Sequence, residues 1–324
     1  MTTVALADRE VEVYYPADAG AVLGREKASY ASFEVLPEAI VAILPPALNL
    51  VIPLDAYQDV RVSGGQKFPL FIFSHGAGGF RHAYSGFMTL LASHGLIAVS
   101  IDHLEWGLLA QVGLRSADDV DRTAEDVLLE TISRLGEEGG AASSVLSGGV
   151  DVTRIVTAGH SAGGRAAFAL PGRPEIKAMI GYATGSAGGL QTDKSILLFV
   201  GSEDGGATRL EEAYEALSPI KRFVSVDAAG HNSFTDQCAI IHGGNNFLDA
   251  LVESGFPIPE NLLALAIDGC LPENLEPATF WNVMTHFTVA TVRAAFGIDA
   301  EPVGLGDGVA EAFPGVTLTY RHEL

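Results

Sequence analysis

The sequence predicts an α/β fold, in which helices cover both faces of a doubly wound, mostly parallel β-sheet. Three observations lead to this prediction: apolar runs alternate with helical patterns, most runs are continuously apolar, and no internal repeat is visible. With 324 residues, 48% of them hydrophobic, the chain can bury a large core. We expect one domain over residues 1–324.

Seven apolar runs are predicted as strands. A short, continuously apolar run is typical of a strand that is covered on both faces of a parallel sheet. The predicted strands are Val11–Pro16, Phe68–Gly76, Leu96–Asp102, Arg154–His160, Lys177–Ala183, Ile196–Asp204 and Arg222–His231.

Five helices are predicted between and after these strands. In the second of them, apolar residues such as Ala124, Leu128 and Ile132 recur at helical spacing. The predicted helices are Ala83–Ser93, Asp118–Leu135, Ala162–Ala169, Arg209–Leu217 and Pro277–Phe296. The repeated strand–helix–strand order indicates a doubly wound sheet.

Two segments do not follow the alternation, Gly24–Gln66 and Asn232–Glu276. Both are apolar enough to pack, and we expect them to cap the C-terminal edge of the sheet, where open α/β sheets bind ligands. The stretch Val35–Leu54 is apolar but contains Glu38 and four prolines, which would break a membrane-spanning helix. It is predicted to be buried or lid-like.

Composition limits the partners that the protein can have. Lys plus Arg number 19 and Asp plus Glu number 40, giving a net charge of −21 that disfavours nucleic acid. The first residues do not resemble a secretory signal, so we expect a cytoplasmic protein, with a mature secreted form as the alternative. Cys238 and Cys270 either pair or stay reduced. No spacing typical of a structural metal site is present.

One motif points to nucleophilic catalysis. The stretch "RIVTAGHSAGGRAA" places Ser161 between Gly159 and Gly163, where a predicted strand meets a predicted helix. G-x-S-x-G in this context is the pattern of a nucleophile elbow, in which the glycines avoid steric clashes and the turn exposes the serine hydroxyl. Ser161 is therefore the candidate nucleophile.

A serine hydroxyl needs a base, and the base needs an acid. His231 ends the last predicted strand and follows the serine in the order expected for this motif, whereas His160 should point away from the hydroxyl. Glu203 and Asp204 end the strand between the serine and His231, and Asp227 lies on the strand that carries the histidine. We prefer Asp204 as the acid, with Glu203 as the alternative.

An oxyanion hole needs two N–H donors. One is expected from Ala162, which follows the nucleophile. The other is expected from the glycine-rich loop "SHGAGGF" after the strand "FPLFIF", because glycine lets the backbone approach a ligand closely.

The motifs "FSHGAGGFRHAYSGFMTLLASHGLIAVSIDH", "GHSAGG" and "GHNSFTD" resemble those of the α/β-hydrolase superfamily. The resemblance covers about Val11–Ser233 and Pro277–Phe296. It is strongest to lipases and esterases grouped with platelet-activating-factor acetylhydrolases, dienelactone-hydrolase-like proteins and cutinase-like polyester hydrolases. It implies the fold but no particular substrate.

Carried over to this sequence, the resemblance implies Ser161 as nucleophile, His231 as base and Ala77 as the second oxyanion donor. The acetylhydrolases place the acid at the end of the strand after the nucleophile helix, where this chain has Tyr182. Polyester hydrolases place it one strand later, and Asp204 fits that pattern.

Polyester hydrolases usually carry an aromatic residue in the oxyanion loop and a tryptophan near the end of the strand before the acid. Those places hold Ala77 and Tyr182 here, so Tyr182 is a candidate substrate-binding residue. Dienelactone hydrolases use a cysteine nucleophile, and the serine at 161 argues against that activity.

The sequence thus predicts a serine carboxylic-ester hydrolase that needs no cofactor and acts on a small-molecule or lipid-like ester. Polyester hydrolysis, acyl transfer or amide hydrolysis by the same groups, and a non-catalytic binding role are the alternatives. The sequence determines neither the acyl and alcohol groups of the substrate nor the oligomeric state.

Overall fold

A central β-sheet organises the computed structural model of the chain, which describes residues 1–116, 121–242, 244, 247–256 and 258–324. Two further strands, the third and fourth along the chain, pair with each other in a separate small sheet. The strands are β1 (Thr2–Ala5), β2 (Glu10–Tyr14), β3 (Ser29–Ala31), β4 (Val51–Pro53), β5 (Phe68–Ser74), β6 (Ile97–Ile101), β7 (Val150–His160), β8 (Ile176–Tyr182), β9 (Ser195–Gly201), β10 (Lys221–Val226) and β11 (Leu318–Glu323).

Within the described ranges the central sheet has nine strands, in the order β1-β2-β6-β5-β7-β8-β9-β10-β11. The six central strands, β6, β5, β7, β8, β9 and β10, are parallel to one another. Antiparallel pairs extend the sheet at both edges, β1 and β2 at one and β11 at the other. The predicted α/β class with a mostly parallel sheet is confirmed. The edge strands β1 and β11 were not predicted because short, polar edge strands lack a continuous apolar run.

Helices cover both faces of this sheet. On one face of the sheet, apolar residues of α5, α6 and α7 pack with the strands in one buried apolar cluster. On the other face, apolar residues of α3 and α11 pack with the strands in a second buried cluster. The helices are α1 (Ala19–Val22), α2 (Glu38–Val41), α3 (Ser85–Ser93), α4 (Leu108–Gln111), α5 (Ala124–Gly140), α6 (Gly164–Ala167), α7 (Ala207–Glu215), α8 (Asp236–His242), α9 (Phe247–Glu253), α10 (Glu260–Ile267) and α11 (Pro277–Ala295).

The boundaries of two predicted elements differ most from those in the structure. Helix α5 begins only at Ala124, because Thr123 caps it: the Thr123 side chain accepts from the Asp126 amide and the Asp126 carboxylate accepts from the Thr123 amide. Positions 118–120 of that predicted helix lie outside the described residues. The last predicted strand, Arg222–His231, ends at Val226, so the histidine stands on a loop.

A third apolar cluster joins the two segments that broke the alternation. Phe33 and Leu44 from Gly24–Gln66 pack with Leu251 and Phe256 from Asn232–Glu276. We call Gly24–Gln66 and Asn232–Glu276 the pocket segments, because both also line the pocket described below. Among the described residues, no helix combines the length and the apolarity that crossing a membrane requires.

Cys238 and Cys270 form a disulfide between α8 and the turn that follows α10. Both residues are fully buried, and the Cys238 sulfur also lies 3.2 Å from the carbonyl oxygen of Gly269. The bond therefore closes the part of the second pocket segment that contains α9 and α10.

Removing this disulfide is expected to lower the free energy of unfolding by about 3 to 4 kcal/mol, since it closes a loop with a sequence separation of 32 residues. Urea unfolding of the wild type and of the Cys238→Ala/Cys270→Ala variant, each with and without dithiothreitol, measures the difference. The reductant should have no effect on the variant. An unchanged urea midpoint in the variant would contradict this stabilising role.

Candidate active site

Ser161 stands on a sharp turn between β7 and α6. Its φ of 53° lies in the left-handed region, which is uncommon for a residue other than glycine. A Cβ on Gly159 would come within 2.2 Å of the Gly163 oxygen, and one on Gly163 within 2.1 Å of the Ser74 oxygen. Both positions thus require glycine, and the close crossing of backbones holds the Ser161 side chain at the pocket.

The structure brings Ser161, His231 and Asp204 into one hydrogen-bonded row. His231 Nε2 lies 2.9 Å from Ser161 Oγ, and His231 Nδ1 lies 2.9 Å from Asp204 Oδ2. Each residue follows the C-terminal end of a different parallel strand, β7, β9 or β10. The parallel sheet therefore gathers at one edge three residues that are far apart in the chain.

The two adjacent carboxylates differ in their surroundings. Asp204 is buried, and its second oxygen accepts the Gly206 amide at 2.6 Å. Glu203 is exposed and accepts a hydrogen bond from Asn274 at 2.7 Å. Burial opposes ionisation of Asp204, but the hydrogen bond and charge of His231 outweigh it, so the pKa of Asp204 lies below its usual value.

The loop that contains Ala77 is held by residues that follow β6 in the chain. Trp106 donates its indole N–H to the His75 oxygen at 2.9 Å and accepts the Gly78 amide at 2.9 Å, while the His103 amide donates to His75 Nε2 at 2.9 Å. The Ala77 amide donates no hydrogen bond to another described residue. Ala77 lines the same pocket as Ser161, and Ala162 directly follows the serine.

A mostly apolar pocket with a volume of about 160 Å³ opens at Ser161 and His231. Its walls come from both pocket segments and from the Ala77 loop. Representative lining residues are Phe33, Leu36, Ile52, Ile240, Leu251 and Leu262. Such a lining suits an apolar group next to the reacting atoms. No group of three or more His, Cys, Asp or Glu in the described ranges is arranged to hold a metal.

Tyr182, the predicted substrate-binding residue, is not among the residues that line this pocket. It is 1% exposed, packs against Phe73 and Phe199, and shares a 2.7 Å hydrogen bond with the Thr288 hydroxyl. Successive side chains of a strand point to opposite faces of the sheet, and the Tyr182 side chain points to the face that α11 covers.

Several residues around the site were not identified from the sequence. Asp268 accepts the Asn232 amide on its backbone oxygen at 2.9 Å, and burial raises the pKa of its carboxyl group. Trp106 and Tyr84 contact the Ala77 loop and the elbow, respectively. None of them carries a sequence signal, because each acts through contacts with residues distant in the chain.

Comparison with known proteins gives two kinds of similarity. The family profile described as "Platelet-activating factor acetylhydrolase, isoform II" matches residues 39–132, which include Ala77. Platelet-activating factor acetylhydrolase from Cavia porcellus is 54% identical over 39 residues, 12% of this chain and 9% of that protein. The one from Bos taurus is 54% identical over 45 residues, 14% and 10% of the two chains.

These sequence matches are local: the aligned stretches span about a tenth of the length of the curated relatives. The similarity to a solved structure extends over nearly the whole chain. Ferulic acid esterase from Streptomyces cinnamoneus matches with a TM-score of 0.64 and 23% identity, over 97% of this chain and 90% of that one. At this identity, the match shows a shared fold.

Proposed function

We propose that this chain, which has an α/β-hydrolase fold, is a serine carboxylic-ester hydrolase. Ser161 Oγ attacks the ester carbonyl while His231 Nε2 takes its proton, and Asp204 holds the His231 tautomer that makes this transfer. The amides of Ala77 and Ala162 stabilise the tetrahedral oxyanion. The alcohol leaves with the proton from His231, and water activated by His231 then hydrolyses the acyl-enzyme.

One observation carries the proposal: the hydrogen-bonded row from Asp204 through His231 ends on Ser161 inside an apolar pocket. A serine–histidine hydrogen bond with a purely structural role would not need to face a pocket. The position of Ser161 and His231 at this pocket therefore supports a catalytic role. The local similarity to the acetylhydrolases supports ester hydrolysis, and their substrate is not carried over to this chain.

The test is hydrolysis of p-nitrophenyl esters from acetate to palmitate, with fluorophosphonate labelling followed by peptide mapping. We expect turnover, and a covalent adduct on Ser161 that blocks it. Labelling without ester turnover would favour amide hydrolysis or acyl transfer, which added amines or alcohols as acceptors would detect. No labelling of Ser161 would contradict the proposed nucleophile.

The pocket segments bear on the kind of ester. Both segments line the pocket and pack against each other, so we propose that they cap the site and favour small or flexible esters. A solid polyester surface would have to move this cover to reach Ser161. Polyester hydrolysis therefore stays the less favoured alternative.

Ile240 is expected to limit the length of the group that the pocket accepts. Ile52 and Ile240 line both this pocket and a second cavity of about 640 Å³ next to it, so they form the partition between the two. Ile240→Ala should raise kcat/KM for long-chain relative to short-chain p-nitrophenyl esters by about tenfold.

Leu265→Ala is the matched control for this prediction, because Leu265 lines the active-site pocket but not the second cavity. It removes the same kind of side chain without opening the partition, and the chain-length preference should change much less. Equal shifts in both variants would show that pocket volume alone, and not the partition, sets the preference.

A further inference from the structure

His160 occupies a position that links the elbow to the main chain of His231. It precedes Ser161, is 2% exposed, and has hydrogen-bond partners at both ring nitrogens. Its Nε2 lies 2.8 Å from the His231 carbonyl oxygen, and its Nδ1 lies 2.8 Å from the Tyr84 hydroxyl. The His160 and His231 rings also pack together, with centroids 4.8 Å apart.

The direction of each hydrogen bond follows from the partners. A carbonyl oxygen only accepts, so His160 Nε2 must carry a proton and donate to the His231 oxygen. Burial, together with the nearby His231, lowers the pKa of His160 to about 3, so the ring is neutral and Nδ1 is unprotonated. The Tyr84 hydroxyl therefore donates to Nδ1, and burial raises the pKa of Tyr84, which keeps that proton in place.

Tyr84 also contacts the loop that carries Ala77. The Gly76 amide donates to the Tyr84 oxygen at 3.4 Å, which is the longest contact of the set. A Cβ on Gly76 would come within 2.9 Å of His160 Nδ1 and 3.1 Å of Ser161 Cβ, so loop, ring and elbow are in close packing. The hydrogen bonds run without conflict from Gly76 through Tyr84 and His160 to His231.

We propose that His160 and Tyr84 are positioning residues for the proposed triad. His160 Nε2–H fixes the carbonyl of His231, so that the His231 ring meets Ser161 and Asp204 together. Tyr84 fixes the tautomer of His160 and ties it to the backbone next to Ala77. This inference rests on the proposed function, because it assigns the two residues an effect on the same reaction.

The paired variants His160→Asn and His160→Gln separate the two hydrogen bonds. Asn keeps an acceptor near the place of Nδ1 but removes the donor to His231, while Gln keeps a donor near the place of Nε2. We expect His160→Asn to lower kcat about 10- to 100-fold, since small misplacements of reacting groups cost that much. His160→Gln should lower kcat only about fivefold, the effect of one neutral hydrogen bond.

Tyr84→Phe tests the other end with little change in shape. It should lower kcat about fivefold with an unchanged KM. The Tyr84→Phe/His160→Asn double variant should lose less than the product of the two single effects, because Tyr84 acts through His160. Thermal unfolding of each variant checks that the fold persists.

The outcomes distinguish this inference from the proposed function. If the wild type hydrolyses esters and Ser161 is labelled, equal losses in His160→Asn and His160→Gln, or no loss in either, would overturn the positioning role alone. A rise in KM with unchanged kcat would do the same, since it indicates a substrate contact. Absence of both wild-type turnover and Ser161 labelling would overturn the proposed function and this inference with it.

Discussion

Replacing Ser161 with alanine is expected to lower kcat about 10⁶-fold for any ester that the wild-type protein hydrolyses. In the proposed mechanism no acyl-enzyme forms without the hydroxyl, and only the proposed oxyanion donors, the amides of Ala77 and Ala162, remain to stabilise direct attack by water. Residue 161 has a positive φ, and the energetic cost of that backbone conformation is similar for serine and alanine, so the substitution should not destabilise the turn. We therefore expect a folded, inactive protein.

Steady-state hydrolysis of p-nitrophenyl butyrate measures this effect, with thermal unfolding as the check on folding. Ser202→Ala is the matched control, because Ser202 is an exposed serine on the loop that leads to Asp204. It should change kcat by no more than about twofold. If Ser161→Ala keeps most of the wild-type rate, another group performs the attack and the proposed mechanism is wrong.

Asp204→Asn is expected to lower kcat about 10⁴-fold. In the proposed mechanism the Asp204 carboxylate, 2.9 Å from His231 Nδ1, accepts the Nδ1 proton and thereby leaves Nε2 free to accept the proton of Ser161. An asparagine amide can instead donate to Nδ1, which puts the proton on Nε2 and removes the base. KM should change little, because the lost interaction matters mainly when the imidazolium forms.

Glu203→Gln is the paired control, since it removes a charge from the neighbouring residue. Glu203 is exposed and bonded to Asn274, and a glutamine can still accept that hydrogen bond. We expect kcat to change by no more than about twofold. Measurement of both variants on the same ester decides the assignment, and the reverse pattern would make Glu203 the acid.

Much of the fold could be predicted from local patterns. The continuously apolar run Phe68–Gly76 predicted a strand buried on both faces, and β5 is buried throughout. The edge strand β11 gave no such signal, because none of its residues is fully buried and its sequence, LTYRHE, contains no continuous apolar run. The loop character of His231 was also missed, since the apolar run before it does not indicate where pairing with β9 and β11 ends.

The candidate site could be predicted only in part. The glycines around Ser161 are a local steric requirement, and chain order was enough to nominate His231 and Asp204. Their catalytic roles stay predictions, although the structure brings the three side chains within hydrogen-bond distance. Tyr182 was nominated from its place at a strand end, but the face to which that strand end points depends on how α11 packs.

The sequence by itself determined the α/β class, the strand–turn–helix around Ser161 and the set of polar residues available to it. Those features follow from backbone sterics and from apolar runs over a few neighbouring residues. Only the tertiary structure decided which carboxylate meets His231, that Cys238 pairs with Cys270, and that His160 reaches the His231 carbonyl. Ser161 and His160 lie 70 and 71 residues from their contacts on His231, and no local pattern encodes a distance between such remote parts of the chain.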